Sequence, residues 1–544
     1  VTGRPVEFAQ PLRERARIAW AFAGVAVFVW PWINPYAGGP SPSVQPWLVS
    51  AACMVLAFAC HPPGRVNAAL AAATAGLVAW ALLRTGAAPD PVALAGACAL
   101  VLIACATAAG NTRREWFLDT VAIAWLLAAA ISTAIGLLQY LGASEGLGPW
   151  VNPAAAGEAF ANLRQRNQFA SLTMFGLASL LWLYPNRLNG WQAAAAAAWL
   201  AAGNAATTSR TGLLQLLVLG VLIGVWPGAK RQRLFIWTAG LLAYVAAALA
   251  LPAILEFVTG VAGNRLWDRV AAADACSSRA VLWSNVLELI RAKPWAGWGW
   301  GELDYVHYAH SYAGARFCDI LDNAHNFALH LAVELGVPIA LAICGAGLWA
   351  LIRARPWAEP EPSRQMAWAV VAVMAVHSLL EYPLWYGPFQ IALGLCLGLL
   401  WPGRAGAGTR ARTVAVAVCA ALACVYAAWD YRRVSQIYLP PEARMPAYRD
   451  DPLPLIRSSW LFRHQALFAE LTINPLTREN AARTLETSLA LLHYSPEPRV
   501  IEKVIESATM LGRDDLAMEH LARFRAAFPA EYAQWQAKLG HGTR

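Results

Sequence analysis

Five short polar stretches interrupt an otherwise apolar chain, and each holds residues able to handle negative charge or a proton. Asn162-Leu-Arg-Gln-Arg-Asn-Gln-Phe-Ala170 sets Arg164, Arg166 and Asn167 where an apolar segment begins. A charge at bilayer depth costs roughly 2.5–3.5 kcal/mol, so two arginines at this boundary predict a compensating anion; the alternative is that both snorkel to lipid headgroups. Thr207-Thr-Ser-Arg-Thr211 places Arg210 among hydroxyls and beside a helix start. That combination suits phosphate oxygens, or is a plain turn with one solvated arginine. Ser277-Ser-Arg-Ala-Val-Leu-Trp283 brings Arg279 and Trp283 onto one face if helical, and leads to Pro294-Trp-Ala-Gly-Trp-Gly-Trp-Gly301. Flat rings there, Trp298 among them, can stack on sugars or anchor the chain at the interface. Asp322-Asn-Ala-His-Asn326 opens another apolar run with His325 and Asn326, and a neutral imidazole at such a boundary can accept a proton. In His377-Ser-Leu-Leu-Glu-Tyr-Pro-Leu-Trp-Tyr386, His377 and Glu381 share a helical face until Pro383 ends the helix. They pair with each other or with a nearby arginine, in a structural or a catalytic role.

Metal chemistry is not expected, nor any other cofactor. Asp304, His307 and His310 recur at intervals of three, but no helix-compatible fourth ligand accompanies them. Most cysteines lie in or beside apolar stretches as small packing residues. Cys276 and Cys318 instead share one long polar loop, either bonded to each other or free.

The elements that must hold these residues are membrane helices. Hydrophobic residues make up 58% of the 544 and charged residues 14%, against about 25% charge in soluble domains. About thirteen apolar segments are read between residues 18 and 429, near 18–35, 46–60, 66–84, 92–109, 117–141, 168–184, 191–206, 211–226, 234–251, 326–352, 366–380, 388–401 and 412–429. The last-but-one pair is alternatively a single helix broken around Glu381–Pro388. The expected fold is an all-α polytopic membrane protein.

Arginine and lysine set its orientation. Alternate connections carry Arg4, Arg13, Arg15, Arg17, Arg65, Arg113, Arg114, Arg187, Lys230, Arg231, Arg233, Arg353, Arg355, Arg364, Arg404, Arg410 and Arg412, which marks them as cytoplasmic. The polar motifs then face outward, into the periplasm if the cell is Gram-negative. Residues 1–429 form the transmembrane unit, with a large outward loop at 252–324. Residues 430–544 form an outward tail whose amphipathic runs, joined by Ser-Pro-Glu-Pro and Gly-Arg-Asp-Asp turns, resemble a tetratricopeptide-like helical array. The net charge of +9 is scattered as topology signals, with no basic groove for nucleic acid.

Taken in order and spacing, these motifs resemble the O-antigen ligase superfamily, and within it the bacterial O-oligosaccharyltransferase branch that glycosylates periplasmic proteins and pilins. The matching pieces are Arg-Asn-Gln-Phe-Ala ending at Ala170, the Ser209-Arg210 turn, Arg279 with Trp283, the Gly-Trp-Gly run, Asp322–Asn326 leading to Glu334-Leu-Gly336, and Glu381-Tyr-Pro-Leu-Trp-Tyr386. The resemblance implies an undecaprenyl-diphosphate-linked oligosaccharide as donor, a Ser or Thr hydroxyl of an exported protein or pilin as acceptor, and a site on the periplasmic side of the inner membrane. Under it, Arg210 and Arg279 hold the diphosphate and His325 activates the acceptor. Arg164, Arg166, Asn167, Asn326, Glu381 and Trp298 would contact substrate, with Glu381 orienting His325 or a substrate. Competing expectations are a ligase acting on lipid A core, a polymerase of the same superfamily, and a lipid-linked glycan transporter or flippase.

Overall fold

The computed structural model describes residues 22–60, 90–111, 115–263, 276–402 and 410–541, with scattered helical positions between 68 and 79. The expected segment 66–84 and the cationic positions Arg4, Arg13, Arg15, Arg17, Arg65, Arg113, Arg114 and Arg404 lie largely or wholly outside them. Every regular element among the described residues is helical. The membrane-sector helices are α1 (Phe22–Ile33), α2 (Val44–Cys60), α3 (Pro91–Gly110), α4 (Glu115–Tyr140), α5 (Arg166–Asn186), α6 (Gly190–Ala206), α7 (Arg210–Val225) and α8 (Lys230–Thr259). The long loop after α8 contributes α9 (Arg279–Ala292) and α10 (Leu303–Ala309); α11 (Phe327–Leu335), α12 (Val337–Ala354), α13 (Pro362–Ser378), α14 (Gly387–Leu400) and α15 (Arg410–Ser435) follow. The tail holds α16 (Arg463–Ile473), α17 (Ala481–Leu492), α18 (Pro498–Met510), α19 (Asp514–Ala527) and α20 (Pro529–His541).

Five of the described helices, α3, α4, α8 and those beginning in α12 and α15, are long and apolar enough to cross a bilayer, and α1, α2, α7 and α14 are shorter apolar helices beside them. The chain is a multi-pass membrane protein. Two expected boundaries change. The segment 326–352 is not continuous: Gly336 takes φ +88° and Pro338 follows, so α11 ends and α12 starts afresh. Around Glu381–Pro388 the chain makes not one broken helix but two, α13 and α14, packed on each other across a turn.

Caps explain why helices begin at the polar motifs. Ser209, Ser278 and Asn326 each accept a hydrogen bond from the backbone N–H of the residue three further on, which starts α7, α9 and α11 and contributes about 1 kcal/mol apiece. Arg210 and Arg279 are therefore first residues of their helices, at the positive end of each backbone dipole.

One large core joins α1 to α8 with α13 and α14, centred on the edge-to-face rings of Trp32, Phe175 and Phe389. The closest approach is α14 on α3. A side chain at Gly110, Gly394 or Gly398 would strike the opposing backbone, the small-residue packing by which membrane helices gain contact without a hydrophobic driving force between them. In contrast, α12 and α15 leave most apolar side chains uncovered by protein, a surface suited to lipid. The two ends of the bundle differ in their ions. The ends of α5 and α8 remote from the polar motifs carry Arg187 on Asp119 and Arg233 on Gln365, and Arg364 pairs with Glu359 at 2.8 Å at the start of α13.

The tail is a chain of helices packed successively, with α17, α18 and α19 building a core of Leu485, Leu492, Ile501, Val504 and Phe524. It is fastened to the rest of the protein. Tyr431 Oη donates to Ser41 O at 2.8 Å and accepts from Ser41 N–H at 2.9 Å. On the loop, Tyr308 Oη meets His520 Nδ1 at 2.8 Å, and His493 lies 2.7 Å from Glu302 with its ring 3.8 Å from that of Tyr305. The hydrogen bond to Glu302 raises the His493 pKa above its ordinary 6.5. A raised pKa gives a contribution fully present below 6.5 and lost as pH rises through the folded value. Tail docking should accordingly loosen on the alkaline side of 6.5, seen as faster amide exchange in α10 and α17, and His493→Gln should abolish that pH dependence.

Candidate functional site

The carboxylate of Glu381, in the turn after α13, is the centre on which the separate motifs converge. Its Oε2 lies 2.6 Å from His325 Nδ1, and its Oε1 accepts from Arg279 Nη2 at 2.5 Å and from Asn167 Nδ2 at 3.3 Å. Asn167 in turn accepts from Ser209 Oγ at 2.6 Å, which ties in the turn bearing Arg210. Four sequence-distant motifs thus meet at one end of the bundle. The Glu381 side chain is 8% exposed, His325 19% and Arg279 39%, so the site grades from buried acid to accessible cation.

Electrostatics fix the protonation pattern. Burial pushes the Glu381 carboxyl up, but the hydrogen bond and charge of His325, with Arg279 behind them, outweigh it and hold the group below the usual glutamate value. An ionised carboxylate only accepts, so Nδ1 of His325 carries a hydrogen toward it, and Nε2 is the ring nitrogen that Glu381 does not engage.

The backbone around His325 is held in an uncommon shape. His325 has φ +49°, a left-handed conformation that costs a non-glycine residue of order 1–3 kcal/mol. Asn323 Oδ1 accepts from the His325 N–H at 2.8 Å, and Trp283, one turn after Arg279 on α9, donates from its indole to Ala324 O at 3.1 Å. Asn326 caps α11 and donates to Leu379 O at 3.0 Å, binding the histidine loop to the end of α13. Tyr382 crosses the His325 ring edge-to-face at 5.0 Å. Neither Asn323 nor Tyr382 was singled out from sequence, although both lie within the motifs that were.

Other expected residues have different surroundings. Arg210 is exposed and its guanidinium makes no ion pair among the described residues, leaving its donors available. Arg164, at φ +62°, donates to Pro35 O, and burial lowers its pKa; it braces the loop after α1 and does not reach Glu381. Arg166 is half-exposed, 4.0 Å from Glu158. Trp298 donates to Leu289 O at 2.8 Å and lies under Lys293 Nζ at 4.0 Å. The Gly/Trp run acts as a clamp: Trp298 N–H and Gly299 N–H donate to Val333 O and Glu334 O, and side chains at Gly297 or Gly336 would collide with the facing backbone. Packing thus employs the tryptophan that stacking on a sugar would require free. His307 engages both ring nitrogens, with Tyr312 Oη at 2.8 Å and Phe317 O at 3.1 Å, and His310 pairs with Glu288. Cys276 and Cys318 are joined, and closing a loop with a sequence separation of 42 restrains the unfolded chain by about 4 kcal/mol in the chain-entropy model.

Family comparison divides the chain along the same pieces. Residues 159–184 match a protein glycosylation ligase family, 195–344 the O-antigen ligase family, and 365–539 the C-terminal part of a virulence factor membrane-bound polymerase family. Asn167 falls in the first match, Arg210, Arg279 and His325 in the second, Glu381 and the tail in the third. Across these stretches the chain is similar to the O-antigen ligase superfamily. It is similar to a general O-oligosaccharyltransferase of Acinetobacter baylyi, 25% identical over 285 residues, covering 50% of this chain and 48% of that one. It is similar also to a ComP-specific O-oligosaccharyltransferase of the same organism, 27% identical over 253 residues, covering 45% of this chain and 44% of the other. The matches span about half the length of each relative.

Proposed function

We propose that this protein is an O-linked oligosaccharyltransferase of the bacterial inner membrane, moving a glycan from an undecaprenyl-diphosphate carrier to Ser or Thr hydroxyls of periplasmic proteins. The observation that carries the reading is the Glu381 carboxylate shared by His325, Arg279 and Asn167 at one end of the bundle. In this mechanism His325 Nε2 takes the proton of the acceptor hydroxyl while Nδ1–H stays on Glu381. The hydroxyl oxygen bonds to the anomeric carbon as that carbon's bond to the diphosphate oxygen breaks, and the electron pair departs with the diphosphate. Arg210 and the donors of Arg279 not engaged by Glu381 neutralise the growing phosphate charge. Direct displacement inverts the anomeric carbon, and no metal is required.

The similarity to two O-oligosaccharyltransferases supports a protein acceptor over lipid A core, and the tail, read as a tetratricopeptide-like array, supplies a protein-contacting surface. Arg164, Asn326 and Trp298 take supporting places in this reading, Arg164 bracing the loop after α1, Asn326 holding the His325 loop against the end of α13 and Trp298 closing the turn onto α11, while Arg166 stands as a further cation for the donor anion. The test is transfer by detergent-purified protein given a lipid-linked glycan and a periplasmic acceptor. Mass spectrometry should find glycan on serine or threonine, and NMR of the glycopeptide should show the anomeric configuration inverted relative to the donor. Transfer to lipid A core alone would overturn the acceptor assignment, and absence of any transfer without a second compartment would favour a transporter.

A further inference from the structure

One helical turn beneath Glu381 lies a second layer of polar side chains with no access to solvent. On α5, Ser171 follows Asn167 by one turn; on α13, His377 precedes Glu381 by one turn. The two helices are therefore bridged twice, by Asn167 on Glu381 at 3.3 Å and by Ser171 Oγ on His377 Nδ1 at 2.9 Å. Gln215 of α7 completes the lower rung, its Nε2 donating to Ser171 Oγ at 2.8 Å and to Val373 O at 3.1 Å. Ser171, Gln215 and His377 are each 0% exposed.

One hydrogen-bond direction is fixed. A carbonyl accepts only, so the bond to Val373 O fixes which end of the Gln215 amide is the nitrogen. Ser171 Oγ then accepts from Gln215 and is hydrogen-bonded to His377 Nδ1. His377 Nε2 faces no hydrogen-bond partner among the described residues, and the Phe389 ring lies edge-to-face with the imidazole at 5.5 Å. The His377 backbone carbonyl meanwhile accepts from the N–H of Glu381 at 2.8 Å and of Leu380 at 3.0 Å, shaping the turn that carries the carboxylate. Apolar side chains could fill this volume without desolvating three polar groups, so packing alone does not account for the layer.

We infer that Ser171, His377 and Gln215 are positioning residues that set the register of α13 against α5 and α7, and through it hold Glu381 where it reaches His325, Arg279 and Asn167 together. They touch no reacting atom. The inference rests on Glu381 and His325 being the transfer site, and its test includes a measurement that does not depend on transfer.

Ser171→Ala should lower kcat about 10-fold with the donor KM unchanged, because displacement of a catalytic group by a fraction of an ångström slows chemistry more than binding. Ser171→Thr, which keeps the hydroxyl, should restore it. In parallel, diethyl pyrocarbonate modification of His325, followed on its peptide by mass spectrometry, should be faster in Ser171→Ala than in the parent. In a Glu381→Gln background the same substitution should add nothing to that rate, since the two act through one contact. Gln215→Met, which fills the space and removes the donor, should move both readouts the same way and serves if Ser171→Ala does not fold. Unchanged kcat and modification rate with only a lower melting temperature would overturn the inference, as would additive effects in the Glu381→Gln background. If the parent protein transfers no glycan, the functional reading fails, and the modification rates still decide on the positioning layer.

Discussion

His325→Ala is expected to lower the rate of glycan transfer by about 10²–10⁴-fold, the usual worth of a positioned general base, while binding of the lipid-linked donor is retained. The expectation follows from geometry: Nδ1 is committed to Glu381 at 2.6 Å, so Nε2 alone can take the acceptor proton. The cations proposed to face phosphate lie on other helices, with Arg210 opening α7 and Arg279 opening α9. Removing the imidazole leaves both in place. Single-turnover transfer and direct binding of the donor separate the two steps, and full activity in the variant would remove His325 from the chemistry.

Glu381→Gln is expected to cost about 10²-fold in kcat, comparable with loss of an electrostatic contact made in the transition state. The substitution keeps the shape but supplies one acceptor oxygen where the native group supplies two. Either Arg279 or the His325 Nδ1–H then faces an amide nitrogen. Glu381→Asp should fail to rescue, because a side chain one methylene shorter cannot span to His325, Arg279 and Asn167 at once. The pH dependence has a definite sign. With its pKa held below the ordinary glutamate value of 4.5, Glu381 contributes stability that is present above 4.5 and lost as pH falls through the lower folded value. The acid limit of native structure around α13 should therefore lie below 4.5 in the parent, and Arg279→Gln should move it upward. An unmoved limit would mean that the ion pair does not hold the carboxylate ionised.

Much of this was legible in the residues. The apolar segments, the scattered cations and the polar motifs at segment ends follow from hydropathy and charge, because lipid penalises any other arrangement. The i, i+4 spacing of Arg279 and Trp283 correctly put both on one face, where one meets Glu381 and the other fixes Ala324. Spacing left the partners of one local pair open, each other or a nearby arginine. His377 and Glu381 do share a face, yet their side chains bind Ser171 and the His325–Arg279 pair, since packing offered each a better partner on another helix. The Trp/Gly run was equally ambiguous, because a ring suited to stacking on a sugar is equally suited to closing a turn.

By itself, then, the sequence determined a polytopic helical protein, the order of its motifs along the chain, and the residue types available for phosphate and proton chemistry. Only the tertiary structure decided that the carboxylate of Glu381 unites them, that Arg164 and Trp298 are braces, and that a buried polar layer underlies the site. The physical reason is range. Hydropathy, capping and helical periodicity act within a few residues, whereas Asn167, Arg279 and His325 come to Glu381 across 214, 102 and 56 positions of chain. Such contacts are fixed by how whole helices pack, which glycines such as Gly394 and Gly398 permit but no local pattern specifies.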